Sequence, residues 1–180
     1  MNVHRVLPWN PSAAADEPGG ALYAPASASN RVSNPSLYRE IYVASAPEAA
    51  VAEALGDLVV WRPATFVHPI GTLAMATYEL HDDAPIFDLD DIDQLRALGI
   101  TRPSRVVTPD RTATQAWARQ IFESERYAGV RWWSHFNADW TALAIWNLDV
   151  LRVRDAPQPL RIDAPAVVDA ARTIAKQRLR

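Results

Sequence analysis

The sequence predicts an α+β fold, and three observations carry that expectation. Strand-like and helix-like segments are mixed along the 180 residues without the regular strand–helix–strand alternation that builds a doubly wound parallel sheet. None of the glycine signatures GxGxxG, GxxxxGK[ST] or GxSxG occurs, so a nucleotide, if one binds, is held by another scheme. Hydrophobic residues make up 49% of the chain. A domain of this length buries roughly 70% of the surface its unfolded chain exposes, so residues 1–180 are expected to form one domain around a real core.

The elements follow from local pattern. His4 to Trp9 alternates loosely and reads as an edge strand; residues 10–21 (NPSAAADEPGGA) read as loop, Leu22–Ala24 as a short strand, and 25–37 as a second polar loop holding Arg31. Tyr38–Ala44 is β-branched and aromatic, hence a strand. Ser45 stands three residues before Glu48 as in a capping box, Pro47 suits a first helical turn, and Gly56 is placed as a C-terminal cap. Residues 58–61 are a short apolar run, 72–80 a strand, Asp90–Leu98 a short helix closed by Gly99, and 105–107 a further strand. Asp110 caps a helix over 111–126 on which Ala113, Trp117 and Ile121 share a face. Residues 129–136 alternate as a strand, with Trp132, Ser134 and Phe136 on one side and Trp133 and His135 on the other. A strand at 142–148 and a final helix capped by Asp163 complete the chain.

Composition excludes several functions. A net charge of −3 gives no footprint for nucleic acid, and the absence of cysteine removes disulfides, thiolate metal sites and cysteine nucleophiles. The four histidines form no HxxxH pair, so no metal is expected. No apolar run approaches the ~18 residues of a bilayer span, and the N-terminus has no basic stretch leading into an apolar one. The cytoplasm is the expected compartment, with no membrane partner. The cations Arg172, Lys176, Arg178 and Arg180 fit the end of a last helix, where they complement its dipole.

Four residues stand out, each with a structural reading beside the chemical one. Arg31 is either a solvated arginine or a fork of N–H donors for phosphate. Tyr42 is either packed in the core or a ring on which a ligand lies. Glu53 falls opposite Val51 and Leu55 on the helical wheel, on the face of Ala46, Ala49 and Ala50. It is either an ordinary exposed glutamate or a carboxylate that small neighbours let a ligand approach, able to stabilise the positive charge of a loosening N-glycosidic bond. Ser134 either satisfies nearby backbone or places one polar group in an apolar cleft.

Taken in order, these residues resemble the RES family, named for an Arg–Glu–Ser set. The matching stretches are NRVSNPSLYREIYVASAPEAAVAEALG at 30–56 and YAGVRWWSHFNADWTALAIW at 127–146, with DDAPIFDLDD and TPDRTATQAWARQIFE between them. The resemblance implies a split, mostly antiparallel sheet with flanking helices, similar to ADP-ribosyltransferase toxins, around an NAD⁺ cleft. It implies Arg31, Tyr42, Glu53 and Ser134 as the residues that bind NAD⁺, with Arg31, Glu53 and Ser134 catalytic. It also implies a transferase of the NAD⁺ phosphorylase or glycohydrolase kind, inorganic phosphate as co-substrate, and a toxin–antitoxin role with an Xre-like antitoxin as partner. A protein ADP-ribosyltransferase and a non-catalytic nucleotide- or partner-binding module are the alternatives. One departure is visible: many members carry an aromatic residue directly after the motif arginine, whereas Val32 and Ser33 follow Arg31 here and the asparagine comes at Asn34.

Overall fold

A computed structural model describes residues 1–179. The strands are β1 (Asn2–Trp9), β2 (Ile41–Ala44), β3 (Val60–Trp61), β4 (Val67–His68), β5 (Gly71–Leu80), β6 (Ile86–Asp88), β7 (Gly129–Trp133), β8 (Thr141–Ile145), β9 (Leu151–Val153), β10 (Gln158–Pro159) and β11 (Gln177–Arg178). The helices are α1 (Pro47–Leu55), α2 (Ile92–Ala97), α3 (Arg111–Glu123) and α4 (Pro165–Thr173). The main sheet runs β10-β5-β1-β2-β8-β7-β6, with β4 and β9 also paired to β5. Its pairings are antiparallel except β6 with β7; a separate small sheet pairs β11 with β3 in parallel. The α+β expectation therefore holds, with a mostly antiparallel sheet flanked by helices.

Strand parity separates two layers. On β2, Ile41 and Val43 turn to a cluster with Val3, Leu7, Tyr78, Leu143 and Ile145. Ala142 and Ala144 of β8 turn the other way, onto Val130, Trp132 and the Trp117 and Ile121 stripe of α3. Register puts Tyr42 beside Ala144, and Ala44 and Trp132 on either side of Ala142. A row of alanines on this face leaves space between flanking aromatic side chains. Helix α1 buries Val51 and Leu55 against Trp61, Phe66 and Val167 and Ala171 of α4, while Ala49, Ala50 and Ala52 pack closely near Ala44 and Trp140. The 111–126 expectation also holds in substance: Asp110 accepts from the Ala113 amide at 3.2 Å and α3 begins at Arg111.

Several local expectations are corrected. The first strand is interior, between β5 and β2, because its length matches β5 residue for residue from Asn2 to Trp9. Residues 38–40 stay outside β2, and 22–24 form no strand. Residues 103–105 form a 3₁₀ turn where a strand was expected near 105–107, in keeping with Pro103. Ser45 does not cap α1. Ala46 holds the N-cap position, and the Ser45 hydroxyl instead accepts from the Thr141 amide at 3.1 Å, tying β2 to β8. Asp163 likewise leaves the N-cap of α4 to Ala164 and pairs with Arg161. Of the C-terminal cations only Arg172 lies in the last turn of α4; Lys176 follows the helix, Arg178 belongs to β11, and Arg180 lies outside the described residues. The strands near 129 and 142 end at Trp133 and Ile145, three residues short of the expected limits.

Gly56 follows α1 as expected but for a different reason. Its φ of −63° is open to any residue. What excludes a side chain is space: a Cβ there would lie 2.3 Å from Cζ of Phe136 and 2.5 Å from the Ala52 carbonyl oxygen. Gly56→Ala is expected to destabilise the fold by about 1–3 kcal/mol through overpacking. Guanidinium unfolding measures this, and an unchanged midpoint would mean the Phe136 ring yields freely.

Candidate active site

The cleft is built from three segments that meet on the alanine face of the sheet. The first is the loop carrying Asn30 and Arg31, the second is β2 running into α1, and the third is the turn 134–136 that leaves β7. The cavity has a volume of about 390 Å³, within the range of sites for small organic ligands. Arg31, Tyr42 and Glu53 line it, with Trp132 and Phe136 supplying apolar wall.

Glu53 stands at the centre of the polar contacts. The Ser134 hydroxyl donates to its Oε1 at 2.5 Å, and the Phe136 amide donates to Ser134 Oγ at 3.1 Å. Ser134 is 2% exposed and does not line the cavity; it sits behind the carboxylate. The Ser134 amide donates to the Trp140 carbonyl at 2.7 Å, fixing the turn. Glu53 itself is open to water by surface area, yet protein surrounds it closely enough that burial pushes its carboxyl up. The Ser134 hydrogen bond, the Arg31 cation and the His135 imidazole pull the other way, while Asp57 adds to the rise. The direction follows from concave surroundings, where solvent reaches the group from one side only.

Arg31 is half-buried and anchored. Its Nη1 donates to the carbonyls of Val106 and Thr108, both at 2.8 Å. Burial and then the charge of Arg111 lower its affinity for a proton; Glu53 and Tyr42 act against both. Tyr42 accepts the Val32 amide at 3.2 Å and meets Trp132 edge to face at 6.2 Å between ring centres. Burial is the main reason its phenol is pushed above the ordinary range, with the Glu40 charge second.

Three of the four residues singled out from sequence, Arg31, Tyr42 and Glu53, thus line one cavity, and Ser134 bonds Glu53 from behind. Among the cleft residues that sequence reasoning missed are Glu40, Arg111, His135 and, as wall, Phe136. Glu40 precedes Tyr42 by two, the spacing of a shared strand face, which was the available signal. It is 4% exposed, accepts from Ser33 Oγ at 2.5 Å, and burial raises its carboxyl. His135 was expected on the far face from Ser134, but the strand ends at Trp133, so parity no longer applies and His135 turns into the cleft. Trp132 and Trp133 do part as expected, since Trp133 lines a separate pocket with Leu89 and Leu95. Among the described residues, no three His, Asp or Glu side chains converge to hold a metal ion. None of the helices is long and apolar enough to cross a membrane, again among the described residues.

Fold and cleft together define an α+β domain with one main cleft, at which an arginine, a glutamate and a serine from three distant segments meet. The chain belongs to the RES-domain family, whose model matches residues 3–167. Among solved structures, it is similar to a chain of the M. tuberculosis MbcT–MbcA toxin–antitoxin complex. The TM-score is 0.61 at 14% sequence identity, covering 97% of this chain and 89% of that one. No curated protein matches the sequence.

The raised carboxyl of Glu53 has consequences for stability and pH. In the unfolded chain the group ionises at its ordinary value; in the fold it holds its proton to higher pH. Between those two values the folded state binds the extra proton, so this group's stabilising contribution is complete at lower pH and fades as pH rises through the folded value. Glu53→Gln is therefore expected to leave the melting temperature at neutral pH unchanged or higher, and its loss of stability with rising pH should be shallower. A large drop in melting temperature would show that the carboxylate is chiefly a structural bond acceptor.

Proposed function

We propose that this chain is an NAD⁺-degrading enzyme that cleaves the nicotinamide–ribose bond by phosphorolysis and acts as the toxin of a toxin–antitoxin pair. The observation that carries the reading is the Glu53 carboxylate, held by Ser134 in a cleft that Arg31 also lines. Membership of the RES family and likeness to a chain of a toxin–antitoxin complex support it. An antitoxin of Xre-like type is the partner this reading implies.

The chemistry asks for little beyond electrostatics. The nicotinamide ring of NAD⁺ is already cationic, so the C1′–N bond breaks with its electron pair going to the ring, which leaves neutral. C1′ becomes oxocarbenium-like, and the ionised Glu53 stabilises that charge from close range; one preorganised contact of this type contributes ~3–4 kcal/mol to barrier lowering. An oxygen of HPO₄²⁻ then forms the new C1′–O bond, giving ADP-ribose phosphate without a required proton transfer. Arg31 binds phosphoryl oxygens through the part of its guanidinium not tied to Val106 and Thr108. Tyr42 packs against the ribose, and Trp132 and Phe136 exclude water from the apolar side. Ser134 acts through Glu53: its donated bond fixes the carboxylate's direction and favours its charged form.

The test is to incubate purified protein with NAD⁺, with and without phosphate, and to follow the products by NMR. Nicotinamide together with a phosphorylated ADP-ribose supports the reading. Free ADP-ribose marks a glycohydrolase, and label transferred to protein marks an ADP-ribosyltransferase. Intact NAD⁺ in every tube points to a binding module. Glu53→Gln is expected to reduce turnover at least a hundredfold while the fold persists. Activity needs the ionised carboxylate, so the rate should fall as pH drops through a value above the ordinary glutamate range. Ser134→Ala should shift that limb to still higher pH, because it removes a bond that stabilises the anion; a pH–rate profile reads both.

A further inference from the structure

We infer that Arg111 and Arg31 form a paired-guanidinium seat for a phosphoryl group, with Arg111 the residue that determines affinity for it. Both side chains line the cleft. Three arginines reach this cavity, and two are engaged: Arg5 donates to the Ala21 carbonyl at 3.3 Å and Arg31 to Val106 and Thr108. Among the described residues, the Arg111 side chain makes no hydrogen bond or ion pair; only its backbone carbonyl is engaged, accepting from the Thr114 hydroxyl at 3.2 Å. It is also exposed at the first position of α3, where a cation opposes the helix dipole.

The backbone segments that carry the two cations are tied together. Thr108, whose carbonyl anchors Arg31, also accepts the Asp110 amide through its hydroxyl at 3.3 Å, and Asp110 caps the helix that begins with Arg111. One turn further on, the Gln115 side chain donates to the carbonyls of Ala28 and Asn30 at 2.9 and 3.0 Å, and Asn34 donates to the Gln115 carbonyl at 3.1 Å. The Arg31 loop and the start of α3 are thus one bonded unit. The charge of Arg111 repels that of Arg31 and, second to burial, lowers its affinity for a proton. A bound dianion reverses that repulsion into attraction, and planar N–H forks suit phosphoryl oxygens.

The seat's chemistry rests on the proposed reaction for its source, which is either the diphosphate of NAD⁺ or free phosphate. Kinetics of the wild type, Arg111→Gln and Arg111→Lys, varying each substrate in turn, separate the two. Arg111→Gln should raise the KM of one substrate about tenfold to a hundredfold, as loss of a charge-assisted bond does, with the loss chiefly in KM. The substrate whose KM moves is the one seated there, and Arg111→Lys should recover part of it. Arg102→Gln, which removes the same charge outside the cleft, should change neither KM. Calorimetric titration with inorganic phosphate and with pyrophosphate reads the seat without turnover. If the wild type binds either one at least tenfold more tightly than Arg111→Gln but leaves NAD⁺ intact, the seat stands and the reaction fails. If Arg111→Gln matches the wild type in both KM values and both titrations, or the wild type binds neither anion, the seat is overturned whatever the fate of NAD⁺.

Discussion

The site depends on one hydrogen bond, from Ser134 to Glu53. A carboxylate placed in a concave, partly apolar cleft loses much of its hydration, which raises its affinity for a proton, and a hydrogen-bond donor works against that rise. Ser134 supplies the donor while itself buried, and its own oxygen is oriented by the Phe136 amide. That arrangement joins α1 to the turn after β7, two segments some eighty positions apart in sequence. The alanines around Glu53 serve the same end, since larger side chains on that face would cover the group they flank.

The opposite wall is organised by backbone. Arg31 is fixed by two carbonyls from the segment before α3, and Tyr42 by the amide of Val32. Tyr38 adds to this by donating to the Val32 carbonyl while accepting from Asn34 at 3.0 Å; burial pushes its phenol up to about 12, so it remains a donor across the working pH range. A loop rich in serine, asparagine and proline is thus mounted by bonds from Arg31 to the Val106 and Thr108 carbonyls, from Asn34 to the Gln115 carbonyl and from Ser33 to Glu40. Rigid placement matters for a mechanism in which preorganised charge, not proton transfer, lowers the barrier.

What the sequence disclosed and what it hid divide along physical lines. Glu53 was legible because helical periodicity sets its direction against Val51 and Leu55, and those two do face the core. Trp132 and Trp133 were legible because strand parity holds through the end of β7. The same rule misled for His135, two positions past the end of β7, in the turn that begins at Ser134. Caps misled for a related reason: Ser45 and Asp163 have the right side chains one position too early, and Ser45 found a better partner across the sheet in Thr141. Arg111 left no signal, since a cation following a capping aspartate looks like surface until the Arg31 loop folds beside it. Glu40 was hidden within an expected strand that starts one residue later.

The departure at Val32 takes on a definite meaning in three dimensions. Val32 is wholly buried, packed with Phe87, Leu89, Trp117 and Val130 beneath the cleft. Its side chain does not line the cavity that Arg31 lines; the chain turns at residues 31–32 and Val32 goes into the core. A larger ring there would have to displace that cluster, which is already filled by Trp117 and Trp132. The aromatic surface of the cleft comes instead from Tyr42, Trp132 and Phe136, residues drawn from β2, β7 and the following turn. An aromatic group lost from one position of a motif need not be lost from the site, because what a ligand meets is the face the sheet assembles and not the order of residues along the chain.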